Sequence, residues 1–242
     1  AWRAAIRAPW LILLALVAMA SALWSIDPEL SFRRGIALLA TTMMGVYLAA
    51  RFDWLTALRL LGAVWFFLMA ASFIAGLVAP GFARMSEVHV GAWMGGWSEK
   101  NALGGHAARA SFLLAFLAWR DPAHRRWWIG GALLALALVI FSRSATALLG
   151  AGLGLGTLFA AWWMLKGKRW SLALVWSGLS IGGLAVLAYI TMPDVVLGLL
   201  GKDETLTGRT DIWASLGEAI EKKPMLGYGY LAFWGLESEP RY

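Results

Sequence analysis

Apolar residues run along this chain in long blocks at 9–26, 35–51, 57–79, 101–119, 127–142, 145–165 and 170–192. Each block is close to the roughly 17–25 residues that a helix needs to cross a bilayer. Seven transmembrane helices are expected, with Pro9 tolerated in a first turn and no other proline inside a block. After residue 192 the pattern changes. From Asp211 to Lys223 the apolar positions Ile212, Trp213, Leu216 and Ile220 fall on one helical stripe, and Pro224 ends the run. The pattern predicts an all-α polytopic membrane bundle over residues 1–192. Residues 193–242 are expected to open a large loop that contains a short amphipathic helix.

Composition agrees with that class: 60% of residues are hydrophobic, 14% are charged and there are 16 Trp. The mean hydropathy of +0.68 excludes a soluble domain with a polar surface. There is no Cys, and the three His are scattered, so no metal-ligand spacing exists and no metal or cofactor is expected. Charge then orients the bundle. The face shared with the N-terminus collects ten basic and two acidic side chains, whereas the other face has ten basic and twelve acidic. Basic residues in short loops favour the cytoplasm, so the N-terminus is expected inside. Asp27–Arg34, Pro80–Lys100, Arg143 and the tail are then expected at the periplasmic face of a bacterial inner membrane. The net charge of +7 is a topology signal, and a nucleic-acid partner is not expected.

Arg109 stands about 12 Å along its helix from Asn101. It shares a face with Asn101 and Gly105 at i, i+4 and i+8. A charge at that depth costs roughly 2.5–3.5 kcal/mol on insertion scales and usually faces a cavity or a partner, so Arg109 is a candidate binding residue. Gly150–Gly156 reads as close helix packing by small residues, not as a phosphate loop. Trp127, Trp128, Trp162 and Trp163 read as interfacial anchors. The loop Pro80–Lys100 has glycines at 91, 95 and 96 that allow it to fold back as an acceptor-binding rim, and Glu87 and His89 are its candidates for a general base. Thr207 or Thr210 can cap the amphipathic helix. Arg209 then stands beside outward-pointing N–H groups, an arrangement suited to an anion or to a solvated surface arginine.

Three segments carry a resemblance: SEKNALG with Lys100 and Asn101, FSRSATALL with Arg143, and GRTDIW followed by a helix, a proline and GYGYLAF. Together, in this order, they resemble the O-antigen ligase and polymerase superfamily, most closely its exopolysaccharide-polymerase-like branch. The resemblance covers roughly Ser98–Trp234. It departs where the chain stops at Tyr242, since the loop His-Asn element and the later helices of the family are not in this sequence.

The resemblance implies transfer of a glycan from a polyprenyl-diphosphate carrier to a saccharide or lipid A-core-like acceptor, without a metal. It implies that arginines hold the diphosphate. Arg143 and Arg209 are the expected catalytic pair, and Lys100, Asn101, Arg109, Trp213 and Tyr228 the expected substrate-binding residues, with membrane lipid around them. A fixed guanidinium suits the charge that develops on a departing diphosphate. Two other classes stay open: a transporter or flippase of an anionic lipid-linked saccharide, and a non-catalytic scaffold of a polysaccharide assembly complex.

Overall fold

The computed structural model describes residues 9–86, 89–166 and 209–233, with a few isolated positions between 173 and 182. Its helices are α1 (Pro9–Ala20, continued by a 3₁₀ turn Ser21–Leu23), α2 (Pro28–Arg51), α3 (Trp54–Val78), α4 (Pro80–Ala83), α5 (Lys100–Arg120), α6 (Arg125–Phe141), α7 (Ala145–Leu165) and α8 (Arg209–Lys222). Among the described residues the architecture is all-α, with one isolated antiparallel bridge between Arg84 and Trp93. The first six apolar blocks each contain one long helix. The seventh, 170–192, lies largely outside the described residues, as does the expected boundary at 192/193.

By length and composition α3, α7 and α6 with its preceding 3₁₀ turn can cross a membrane, while α1 is apolar but shorter. Two of the others begin with charge. The block read as 35–51 starts earlier, because Asp27 caps the helix by accepting from Leu30 N at 2.9 Å and Pro28 occupies the first turn. Glu29, Arg33 and Arg34, expected in a loop, therefore lie in the first turns of α2. Hydropathy hid a start that the Asp-Pro pair encodes.

The chain divides into two compact units, residues 1–53 with 182–242, and residues 54–181. In the first unit α1 and α2 form a hairpin closed at Gly35, where an added Cβ would stand 2.8 Å from Met19 Cα. The segment following α8 returns to the turn between α1 and α2.

The second unit is organised around α5. Leu103, Ala107, Ala110, Leu114 and Leu117 are fully buried at alternating spacings of four and three, the seam of a helix packed on neighbours. Small residues allow the close approach: Gly104, Ala107, Ala108 and Ser111 on α5, with Gly131, Ala132 and Ala135 on α6. Gly150–Gly156, also expected to pack closely, contributes little to this seam. Of its glycines only Gly154 has a neighbour, Phe112 at 3.5 Å, whereas Gly150, Gly152 and Gly156 face open space among the described residues. Ala147 and Ala151 supply the buried face of α7 instead.

The ends of this unit are pinned differently. At one end Arg84 donates Nε and Nη2 to Gly76 O, at 3.0 and 2.8 Å, and lies over the Trp93 ring. Trp93 packs on Phe141 and Phe73 and sits against Gly76, where a methyl group would collide with the indole. The loop after α4 therefore folds back onto the helix ends, as its glycines predicted.

At the other end the buried carboxylate of Asp121 accepts from Arg59 Nε and Nη2, at 3.0 and 2.8 Å, and from Trp128 Nε1 at 2.9 Å, with His124 Nδ1 at 3.1 Å. Burial alone would raise its pKa, but the hydrogen bonds from Trp128, Arg59 and His124 outweigh that and hold the carboxyl below its ordinary range. Arg59, Arg120, Arg125, Arg126 and Lys166 thus share one end of the unit, and Arg84, Lys100 and Arg143 the other.

Candidate functional site

In the second unit the site is built where α5 begins and the α6–α7 turn passes. Helix α6 ends at Ser142, whose N–H reaches Leu138 O at 2.9 Å, and Ser144 caps α7 by accepting from Ala147 N. Between them Arg143 takes φ +50°, the left-handed conformation that a helix exit requires and glycine usually supplies. An arginine held there, exposed, is an observed departure from the ordinary choice. Its Nη1 donates to Val90 O at 3.4 Å, and its carbonyl accepts from Lys100 Nζ at 3.5 Å.

The turn can sit so close to α5 because Gly104 lacks a side chain. An added Cβ would stand 2.7 Å from Ser142 Oγ and 2.8 Å from Ala147 Cβ. Two segments separated by about forty residues thereby place two cations, Lys100 and Arg143, at one helix end.

Asn101 and Arg109 are exposed, and Gly105 between them meets nothing within 4 Å, so their shared face of α5 is uncovered among the described residues. Arg109 does not touch Lys100 or Arg143. Its Nη2 lies 3.0 Å from His106 Nδ1. Arginine can only donate, so Nδ1 accepts and the proton of a neutral ring is on Nε2. The imidazole is sandwiched between Trp97, with centroids at 5.0 Å, and Trp65, at 5.3 Å. A cavity of about 510 Å³ opens beside it, with Phe82, Gly96 and Trp97 of the folded-back loop forming part of the wall. Sequence reasoning passed over His106, because an isolated His on an apolar helix has no local signature of its aromatic neighbours. His89 is exposed in that loop, and Glu87 lies outside the described residues.

In the first unit α8 begins at Arg209, whose side chain is outside the described residues, as are Thr207 and Trp234. Trp213 and Ile220 are 57% and 63% exposed, and Ile212 and Leu216 are half-buried. The turn that follows is held by the α1–α2 connection. Trp24 Nε1 donates to Leu226 O at 2.8 Å, Ile26 N to Tyr228 O at 3.2 Å, and Tyr230 N to Ser21 Oγ at 2.8 Å. Ser31 Oγ donates to Tyr230 O at 3.1 Å, and Ser25 Oγ lies 3.2 Å from Tyr228 O.

Gly229 has φ +93°, and a side chain there would run into Ser25. Tyr228, an expected substrate-binding residue, directs its hydroxyl to Ala219 O at 2.9 Å and its ring beneath Lys223. It ties the turn to α8. The serines at 21, 25 and 31 were not singled out from sequence, since a serine at a helix end looks the same whether it meets water or another backbone.

Residues 130–242 match the family described as O-Antigen ligase. The chain is similar to "Exopolysaccharide production protein ExoQ" of Rhizobium meliloti (strain 1021), with 30% identity over 234 residues, covering 93% of this chain and 52% of that relative. The two matches support the O-antigen ligase and exopolysaccharide polymerase family. It spans about half the length of the curated relative that it matches. No solved structure matches it. Within this O-antigen ligase family match lie Arg143, Arg209, Trp213 and Tyr228, whereas Lys100, Asn101 and Arg109 precede it.

Proposed function

We propose that the protein transfers a glycan from a polyprenyl-diphosphate carrier to a saccharide or lipid A-core-like acceptor at the periplasmic face of the bacterial inner membrane. The observation that carries this reading is the exposed Arg143 guanidinium, held in a left-handed residue at a helix exit with the Lys100 ammonium at its carbonyl. In the reaction an acceptor hydroxyl attacks the anomeric carbon, the bond from that carbon to the phosphate oxygen breaks, and the hydroxyl proton goes to a base. The bond electrons leave on the diphosphate. Fixed cations stabilise the charge as it forms on that oxygen.

Arg143 forks onto the phosphate oxygens and Lys100 adds a point charge, while Arg209 is the second guanidinium that the family resemblance implies. Asn101 and Arg109 continue the polar face of α5 toward the carried chain. The aromatic cavity beside His106 receives the acceptor, and Trp213 and Tyr228 flank the donor. The segregation of cations to the two ends of the second unit supports the sidedness assumed here.

A turnover assay with purified protein, a lipid-linked oligosaccharide and an acceptor tests the reading. Product on the acceptor supports it, lipid moved between leaflets without product favours a transporter, and neither outcome leaves a scaffold. Reporter fusions test the faces independently: one after Lys168 is expected to behave as cytoplasmic and one after Leu206 as periplasmic. The reverse pair would remove the outer-face assignment and the mechanism with it.

A further inference from the structure

At the end of the second unit opposite Arg143, a cleft of about 580 Å³ opens between α5, α6 and α7. Trp119, Arg125 and Trp162 line it near the helix ends, and Ile129, Leu155 and Phe159 line it further in. It runs far along the bundle. Leu155 is eleven residues from Lys166, or about 16 Å at 1.5 Å per residue, close to the ~15 Å depth of one leaflet of the hydrocarbon core. The small residues Ala115 and Ala118 of α5 leave the room.

Charge says what fits this cleft. Helix α5 ends on Arg120, α6 starts with Arg125 and Arg126, and α7 is followed by Lys166. Lys166 Nζ stands 3.7 Å over the Trp162 ring, which places a cation directly at a wall of the cleft. The described carboxylates of residues 54–166 are Glu99, at the opposite end, and Asp121. Asp121 is buried and already held by Arg59, Trp128 and His124. Arg125 and Lys166 therefore stand at one apolar cleft, with Arg120 and Arg126 at the neighbouring helix ends, and among the described residues no carboxylate of residues 54–166 is left to pair with them.

We propose that this cleft is a binding site for an anionic phospholipid, with the phosphate at Arg125 and Lys166 and one acyl chain lying along Ile129, Leu155 and Phe159. Basic pockets between transmembrane helices suit anionic headgroups, and the indoles of Trp119 and Trp162 sit at the level where headgroup meets chain. A zwitterionic lipid offers the same chain but no net charge to Arg125 and Lys166. The site is separate from the transfer chemistry and does not depend on it.

Native mass spectrometry of the purified protein, titrated with phosphatidylglycerol and phosphatidylethanolamine of matched acyl chains, tests the assignment. Wild type is expected to retain phosphatidylglycerol in preference. Arg125→Gln and Lys166→Gln are each expected to lower that retention about fivefold. Arg126→Gln removes the same charge from a residue outside the cleft and is expected to change it little. Leu155→Trp fills the chain path without altering charge and is expected to expel the lipid. Equal retention of the two lipids, a loss in Arg126→Gln as large as in Arg125→Gln, or full retention in Leu155→Trp would each overturn the site.

Discussion

Lys100 Nζ meets the carbonyl oxygen of Arg143 at 3.5 Å, so the first residue of α5 touches the residue that turns α6 into α7. The contact joins two of the three segments that resemble the ligase family. It depends on Gly104 one turn further along α5, under Ser142 and Ala147.

Arg143 separates stability from function. At φ +50° an arginine is disfavoured relative to glycine by about 1 kcal/mol, so Arg143→Gly is expected to raise the melting temperature slightly while abolishing transfer. Thermal unfolding in detergent and the turnover assay measure the two effects on one sample. Full activity in the glycine variant would reduce Arg143 to a helix exit.

Arg143 and Arg209 are expected to act on one leaving-group charge. Arg143→Lys and Arg209→Lys keep the charge and lose the fork, and each is expected to lower transfer about tenfold or more with expression intact. The double variant should lose much less than the product of the two, because groups that stabilise one transition-state charge are not additive. Multiplicative losses, or normal transfer in Arg209→Lys, would place the two residues in separate roles.

The docked turn after α8 makes a prediction about order. Gly229→Ala forces a side chain into Ser25 at φ +93° and is expected to weaken docking by about 1–3 kcal/mol, whereas Ser25→Ala removes hydrogen bonds without a collision and is expected to cost about 1 kcal/mol. Trypsin cleavage after Lys222, and exchange of the Ile26 and Tyr230 amide protons, should accelerate in that order. Unchanged exchange in Gly229→Ala would mean that the turn does not dock on Ser21–Ser31.

Asp121 sets a pH dependence. Its carboxyl pKa is depressed in the folded protein, so the unfolded chain takes up a proton first as pH falls. The stabilisation is complete above the ordinary Asp value of about 4 and is lost as pH drops through the lower folded value. Asp121→Asn is expected to cost about 2 kcal/mol at neutral pH, since the Trp128 and Arg59 donors lose a charged acceptor, and to flatten the acid limb of a melting-temperature profile. An unaltered acid limb would assign that loss to other carboxylates.

What the sequence determined alone was the part that depends on neighbours along the chain. Blocks of apolar residues need no partner to demand a helix in lipid, so the six described blocks became helices, and the amphipathic stripe became α8. The family resemblance was legible because the segments around residues 100, 143 and 209 each carry their own local pattern.

Tertiary structure decided who meets whom. Gly104 looks like any small residue in a helix until the Ser142 turn lies on it, while of the glycines at 150–156, expected to pack closely, only Gly154 meets a neighbour among the described residues. Ser21 and Tyr230 are 209 positions apart, and no periodicity links a helix-end serine to a distant amide. Asp121, one of the two acidic residues counted on the N-terminal face, proved buried, because only folding brings Arg59 and Trp128 to it and repays the desolvation of its carboxylate.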